Sequence, residues 1–335
     1  MTLRIGVLGV GRIGKMHAEL VARQVPGASL AMVQDINAEA ASAIAADLDV
    51  PYTTDVDELV ESGDVDAVAI CSSTDTHVPL MIAAAAAGKA IFCEKPVSLD
   101  LGKVDEGMAA VRAGAVPIQI GFNRRFDAAH ASVRAAVVDG SVGDLHIVRI
   151  TSRDPAPPPI AYIKVSGGLF LDMMIHDFDM ARFVTGSEVV DVYAQAAVRV
   201  DPAIGEAGDV DTALVMLRHE NGCITAIDNS RQAVYGYDQR VEAFGSGGMA
   251  ASENPLTHTG MRRSAAGTIS QTIPYFFLDR YTPSYIEEWK AFVGYIADGG
   301  PSPVSAEDGR APLVIGLAAW KSYREGRPVR CDEIG

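Results

Sequence analysis

Residues 3–35 set the strongest constraint on what this chain can fold into. The run Leu3-Arg4-Ile5-Gly6-Val7-Leu8 reads as a buried strand, and Gly9-Val10-Gly11-Arg12-Ile13-Gly14 follows at once. A helical pattern comes next, and a second apolar run ends at Asp35. Strand, glycine turn, helix and strand in that order make a βαβ unit whose helix start can receive a dinucleotide pyrophosphate. Gly9 lets the chain turn sharply out of the strand, Gly11 opens the backbone to phosphate, and Gly14 lets the helix pack close to the sheet. Arg12 and Ile13 lie at the helix start, where free N–H groups face the ligand. Asp35 lies 21 residues beyond Gly14. A carboxylate there can accept both ribose hydroxyls and would repel a 2′-phosphate. With 32 glycines in the chain a bare GxGxxG is weak evidence. The flanking strand, the helix and Asp35 turn it into an expected NAD site, with NAD favoured over NADP.

The chain has 335 residues, which suits two domains with a large core. Its net charge of −15 argues against nucleic acid and anionic membranes as partners. Met1 leads almost directly into a strand, and the longest apolar run, 78–88, is too short to span a bilayer. The four cysteines are widely separated and no pair has metal-ligand spacing. A cytoplasmic protein with reduced thiols and no metal is the expectation.

Residues 1–121 alternate helix and strand throughout. Helices are predicted at 38–46, 55–61, 78–87 and 101–113, with strands at 65–71, 90–93 and 116–121. That is an α/β Rossmann domain with a doubly wound, mostly parallel sheet. Ligands bind beyond the carboxyl ends of such strands, where three polar clusters fall. One is the glycine loop. In the second, residues 72–77, Ser73 and Thr74 are candidates to line the cofactor channel, and His77 could touch the cofactor or cap the next helix. The third is Glu94-Lys95-Pro96, directly after a buried strand. Pro96 favours extended backbone angles at Lys95, which aims the lysine toward substrate near the nicotinamide. A surface ion pair is the plainer alternative.

Residues 122–335 read as an α+β domain. A helix is predicted from Asn123 to about Val138, then a strand at 145–153, a proline-rich connection, an edge or loop at 160–166 and a helix at 169–184. Runs at 189–199, 210–219, 223–231 and 239–245 lack helices between them and read as a large open antiparallel sheet. Asn221-Gly222 is predicted as a type I′ hairpin turn. Helices at 283–297 and 307–323 complete the chain, and the last could pack back on the first domain. An open sheet of this breadth is naturally covered by a partner subunit. In the helix at 169–184, Asp172 and His176 are four apart and share one face, with Asp179 three further on. Carboxylates beside an imidazole orient it and raise its proton affinity, as a general base for an alcohol requires. A structural His–Asp pair is the competing reading.

The chain resembles the Gfo/Idh/MocA oxidoreductase family over essentially its full length. The resemblance rests on Gly9-x-Gly11-Arg12-Ile13-Gly14, Glu94-Lys95-Pro96, Gly121-Phe122-Asn123-Arg124-Arg125-Phe126-Asp127 and Ser152-Arg153-Asp154-Pro155. It also rests on Ser166-Gly167-Gly168 through Ile175-His176-Asp177-x-Asp179. It implies Lys95, Asp172 and His176 as the catalytic set. It implies Glu94, Lys95 and Asn123 beside NAD, and Arg125, Asp154 and Tyr235 beside substrate. The implied substrate is a cyclic polyol or sugar, foremost myo-inositol oxidised at one ring carbon. Another inositol isomer or a pyranose is the alternative. An NAD-retaining hydrolase or epimerase, or a non-catalytic NAD-binding protein, is less favoured. The resemblance also implies a homodimer or homotetramer formed through the open sheet.

Overall fold

The computed structural model describes residues 2–335. The chain divides into two compact units. One holds the residues up to Asn123 together with Tyr285–Ala311, and the other holds Arg124–Ser284 with Pro312–Gly335.

The first unit contains β1 (Leu3–Leu8), α1 (Arg12–Arg23), β2 (Ala28–Gln34), α2 (Ala38–Leu48), β3 (Tyr52–Thr53) and α3 (Val56–Val60). It continues with β4 (Ala67–Ile70), α4 (Thr74–Ala86), β5 (Ala90–Glu94), α5 (Leu101–Gly114) and β6 (Ile118–Gly121). The strands lie in the order β3-β2-β1-β4-β5-β6, and every neighbouring pair is parallel. The chain runs from β1 to one edge, then restarts with β4 on the other side of β1. Loops leaving β1 and β4 therefore diverge and open a crevice at the strand ends. Ile5, Val7, Leu8 and all of β4 are buried, as a parallel sheet covered on both faces requires.

The second unit begins with α6 (Ala128–Val138), β7 (Leu145–Arg153), α7 (Ile160–Ser166), a π turn at Leu169–Met173 and α8 (Ile175–Thr185). Then come β8 (Val189–Ala197), α9 (Pro202–Glu206), β9 (Thr212–His219), β10 (Ile224–Ser230), β11 (Asp238–Gly245) and β12 (Gly248–Ser252). A small exposed pair, β13 (Arg262–Ser264) and β14 (Gly267–Ile269), precedes α10 (Phe277–Asp298) and α11 (Ala306–Glu325), whose residues are divided between the two units, and β15 (Val329–Arg330) follows in the second. The large sheet has seven strands in the order β12-β11-β7-β10-β9-β8-β15. It is antiparallel except where β10 runs parallel to β7, so the fully antiparallel expectation is corrected at one pair. Burial alternates along β9, whose inward Val215 and Leu217 join Phe170, Phe178 and Ile315 in the core. Outward residues on the same sheet remain exposed, among them Leu214 and Met216.

Several local expectations shift. Residues 160–166 form a helix rather than an edge or loop, and the short helix α9 lies between β8 and β9. The β9–β10 hairpin is a three-residue loop, with His219 N–H bonded to Cys223 O at 2.9 Å and Gly222 at φ +86°. Asn221 does not take the positive φ that a type I′ turn demands of both central residues. Helix α10 starts at Phe277, upstream of Pro283, because Tyr281 is buried and Arg280 pairs with Asp127 at 2.5 Å. Among the described residues, no helix is long and apolar enough to cross a membrane, and no group of three His, Cys, Asp or Glu is arranged to hold a metal ion.

Helix α1 packs hard against the end of β1. A Cβ on Gly14 would stand 1.8 Å from the Gly9 carbonyl oxygen. Gly14→Ala is expected to cost about 1–3 kcal/mol through forced displacement of that backbone. Urea unfolding checks it, and an unchanged midpoint would mean that the helix has room to spare.

Candidate active site

In the first unit the glycine loop closes over the end of β1. Gly9 takes φ +86°, and a Cβ on it would meet Ser72 Cα at 2.6 Å, so only glycine fits. Gly11 caps α1 without a side-chain bond, and the first turn of α1 carries no acidic residue. Helices α2, α3 and α5 are instead capped by Asn37, Asp55 and Asp100. A Cβ on Gly11 would meet no protein atom within 4 Å, so the space over that backbone is open. Asp35 Oδ2 accepts Val10 N–H at 2.8 Å, and Oδ1 accepts Asn37 N–H at 2.9 Å. These bonds hold a partly exposed carboxylate at the rim of the loop. Arg12 is exposed and Ile13 half-buried beside it. An uncapped helix start, open backbone and a carboxylate at the end of β2 fit the pyrophosphate and ribose of NAD.

The next two clusters sort differently. Ser73 is exposed and Thr74 half-buried at the start of α4, open to a ligand. His77 is buried, with Nδ1 2.9 Å from Pro96 O and Nε2 3.1 Å from Ser72 O. Burial holds its imidazole below the ordinary pKa and keeps it neutral. His77 is thus a clasp between two loops. Lys95 is partly exposed after β5, and its peptide bond to Pro96 is cis. Glu94 is buried; Oε1 lies 2.8 Å from His17 Nε2, and Oε2 accepts the Lys95 backbone N–H at 3.2 Å. Its carboxylate turns inward, which corrects the reading of a surface ion pair. Asn123 is buried at the start of a short 3₁₀ turn that runs to Phe126.

In the second unit, Gly167 and Gly168 bend the chain into the π turn, closed by Met174 N–H on Leu169 O at 2.9 Å. The single helix expected over 169–184 is therefore two segments, as often happens where function needs a particular side-chain register. Asp209 accepts Leu169 N–H on both oxygens, at 3.0 and 3.1 Å, and anchors the turn. From Leu169 to Ala181 every residue is buried except Asp172 and His176, which are partly exposed. The two candidate groups thus share the one open side of this segment. Asp172 Oδ1 accepts the Tyr162 hydroxyl at 2.8 Å, and Oδ2 stands 3.7 Å from Arg231 Nη2. The same nitrogen lies 3.7 Å from Asp209 Oδ2, and Arg231 is only 1% exposed. A buried guanidinium among carboxylates compensates their charge where water cannot. Sequence reasoning missed Arg231, Asp209 and Tyr162, since no spacing links them to Asp172.

The other carboxylates of this segment face elsewhere. Asp179 takes a forked pair of bonds from Arg125, with Nη2 at 2.6 Å and Nε at 2.9 Å. Arg125 also lies over the Phe183 ring, 5.4 Å from its centroid. The guanidinium assigned to substrate is engaged in packing α8. Asp177 is fully buried and accepts from Arg124 Nη1 and Asn229 Nδ2, both at 2.8 Å. Burial raises its carboxyl pKa against the pull of Arg124. Tyr235 is half exposed; its hydroxyl donates to Asp238 at 2.7 Å and accepts from Arg153 at 3.0 Å. Asp154 follows β7 and is held beside β10 by its N–H on Ser230 O at 2.9 Å. Burial pushes its carboxyl up to about 6, against Arg231 and Arg124 and with the repulsion of Asp172 and Asp177.

Residues 3–122 match the model of the oxidoreductase family with the NAD-binding Rossmann fold, and residues 130–251 match that of the GFO/IDH/MocA C-terminal domain. The chain belongs to the Gfo/Idh/MocA oxidoreductase family. It is 48% identical over 333 residues to the myo-inositol 2-dehydrogenase of Thermotoga maritima, with 99% of each chain covered. The crystal structure of a probable dehydrogenase from the same organism matches with a TM-score of 0.98 at 48% identity, over 99% of this chain and 100% of that one. A scyllo-inositol dehydrogenase from Lactobacillus casei, solved with NAD(H) and scyllo-inositol, matches with a TM-score of 0.92 at 30% identity, over 99% and 100%. As a member of this family the chain is an oxidoreductase whose first unit is the NAD-binding fold.

The raised carboxyl of Asp154 has a measurable sign. Folding favours its protonated form, so that contribution is complete below the ordinary aspartate value of about 4 and is lost as pH rises through about 6. Asp154→Asn stays neutral throughout. Its melting temperature relative to the unmodified protein should therefore climb between pH 5 and pH 7, roughly the window on either side of that titration. A pH-independent difference would place Asp154 in ordinary solvent.

Proposed function

We propose that this protein oxidises one ring hydroxyl of a cyclic polyol with NAD, and that its substrate is myo-inositol, giving 2-keto-myo-inositol. The observation that carries the chemistry is the shared exposure of Asp172 and His176 on an otherwise buried segment. The similarity to the Thermotoga maritima enzyme supports the choice of polyol. In this reading Lys95 donates a hydrogen bond to the reacting hydroxyl and stabilises the developing alkoxide. His176 accepts the hydroxyl proton. Asp172, itself held by Tyr162 and Arg231, orients the imidazole. The carbon's hydrogen leaves with its electron pair, and NAD, when bound, accepts that hydride. Loss of one proton and one hydride turns the alcohol into the ketone. Asp154 and Asn123 supply further polar contacts around the ring, and Asp35 selects NAD by repelling a 2′-phosphate.

The test is initial rates of NADH formation over a panel of myo-inositol, scyllo-inositol, glucose and cyclohexanol. Myo-inositol should have the highest kcat/KM, and cyclohexanol should be orders of magnitude worse because it leaves the polar groups of the site unpaired. NADP should be the poorer cofactor at equal concentration. Lys95→Ala should lower kcat about 10²–10³-fold and His176→Ala about 10²–10⁴-fold. A higher kcat/KM for scyllo-inositol or glucose would replace the substrate. Near-normal turnover by either variant would remove that residue from the chemistry.

We further propose that the protein is a homo-oligomer joined through the open face of its seven-stranded sheet. Ile224, Ile147, Phe244 and Met249 are exposed and stand in register across β10, β7, β11 and β12. Such a row of exposed apolar side chains marks an interaction face. Phe244→Glu should shift the mass measured by light scattering toward the monomer. A monomeric unmodified protein would end this reading.

A further inference from the structure

We propose that His17 is a positioning residue for Lys95. The proposal rests on the catalytic role given to Lys95 above. His17 lies three residues beyond Gly14 on α1 and is fully buried. Rings wall it on three sides: Phe92 at 5.3 Å, Tyr285 at 5.5 Å and Trp289 at 5.7 Å between centroids. Phe92 and Trp289 also stack on each other at 4.4 Å. Inside this cage the imidazole has a polar partner on each nitrogen. Trp289 Nε1 stands 2.9 Å from His17 Nδ1, and Glu94 Oε1 stands 2.8 Å from His17 Nε2.

The tautomer follows from the partners. An indole N–H can only donate, so Nδ1 is the acceptor. The ring proton of a neutral imidazole then sits on Nε2 and is donated to Glu94. The other Glu94 oxygen accepts the backbone N–H of Lys95 at 3.2 Å. A chain of donated hydrogen bonds thus converges from Trp289 through His17, and from Lys95, on one carboxylate. Glu94 also lies close over the Gly121 backbone, where a Cβ would stand 3.1 Å from its Cδ, so a glycine there makes room for this pose. The lysine is therefore set by reference to α1, the same helix whose start faces the open space over Gly11. All these residues lie in the first unit.

A residue that only stabilises the core and one that positions Lys95 differ in a double-mutant cycle. The cycle uses His17→Ala, Lys95→Ala and the pair, with myo-inositol oxidation and NADH binding by fluorescence as readouts. His17→Ala should lower kcat about 10–100-fold, as removal of an orienting partner does elsewhere, with NADH affinity unchanged. His17→Gln, whose amide can still donate to Glu94, should recover most of that loss. In the Lys95→Ala background His17→Ala should cost nothing further. Equal losses in both backgrounds, or normal kcat in folded His17→Ala, would overturn the proposal. Should His17→Ala fail to fold, Glu94→Gln takes its place in the cycle, with non-additivity again expected and additivity overturning. Slow Lys95→Ala with normal His17→Ala sinks this inference alone. Normal Lys95→Ala sinks the reading of Lys95 and this inference with it.

Discussion

Helix α1 lies so close to the end of β1 that one added carbon at Gly14 would overlap the Gly9 carbonyl, at 1.8 Å. Much of the first unit depends on that approach. It holds the helix start over the strand end, so that Val10 N–H reaches Asp35 and the backbone over Gly11 stays open. Three residues further along, about one turn, the same helix delivers His17 to Glu94. A helix standing even slightly off the sheet would lose the glycine loop and the seat of the Lys95 strand end together. The three glycines therefore do different work. Gly9 turns, Gly11 leaves room for a ligand, and Gly14 removes the obstacle to packing.

In the second unit the comparable constraint is a set of buried charges. Arg124 with Asp177, and Arg125 with Asp179, pin α8 from inside. Burying such pairs costs desolvation that apolar residues would avoid, but each pair demands one geometry. That geometry turns the apolar and paired faces of α8 inward and leaves His176 on the open side with Asp172. Arg231 then balances Asp172 and Asp209 without standing in solvent. The second unit thus separates carboxylates that organise the helix from the one that accompanies the histidine.

Much of this was legible along the chain. The βαβ spacing around Gly9–Gly14, Asp35 at the end of β2, and Lys95 after a buried strand all follow from local pattern, because strand and helix periods place such residues at strand ends. The shared open side of Asp172 and His176 was also legible from their spacing. The pairing of Asp179 with Arg125 was not legible, since spacing along a helix reports angle but not which side chain lies outside it. The inward partners of His77 and Glu94 were hidden for a related reason. A polar residue at a strand end can face a ligand or fold inward, and the choice depends on atoms contributed by Pro96, Ser72 and His17.

The sequence by itself determined the Rossmann unit, the positions of the glycine loop and Lys95, and the segment that carries Asp172 and His176. Each is a matter of local spacing, which backbone geometry translates directly into place. Only the tertiary structure decided the parallel pairing of β10 with β7, the π turn before α8, and the burial of Arg231 beside Asp172. It alone joined Trp289 to His17 across 272 residues of chain. Those outcomes depend on which distant side chains fill the same volume, and packing of that kind leaves no period in the sequence.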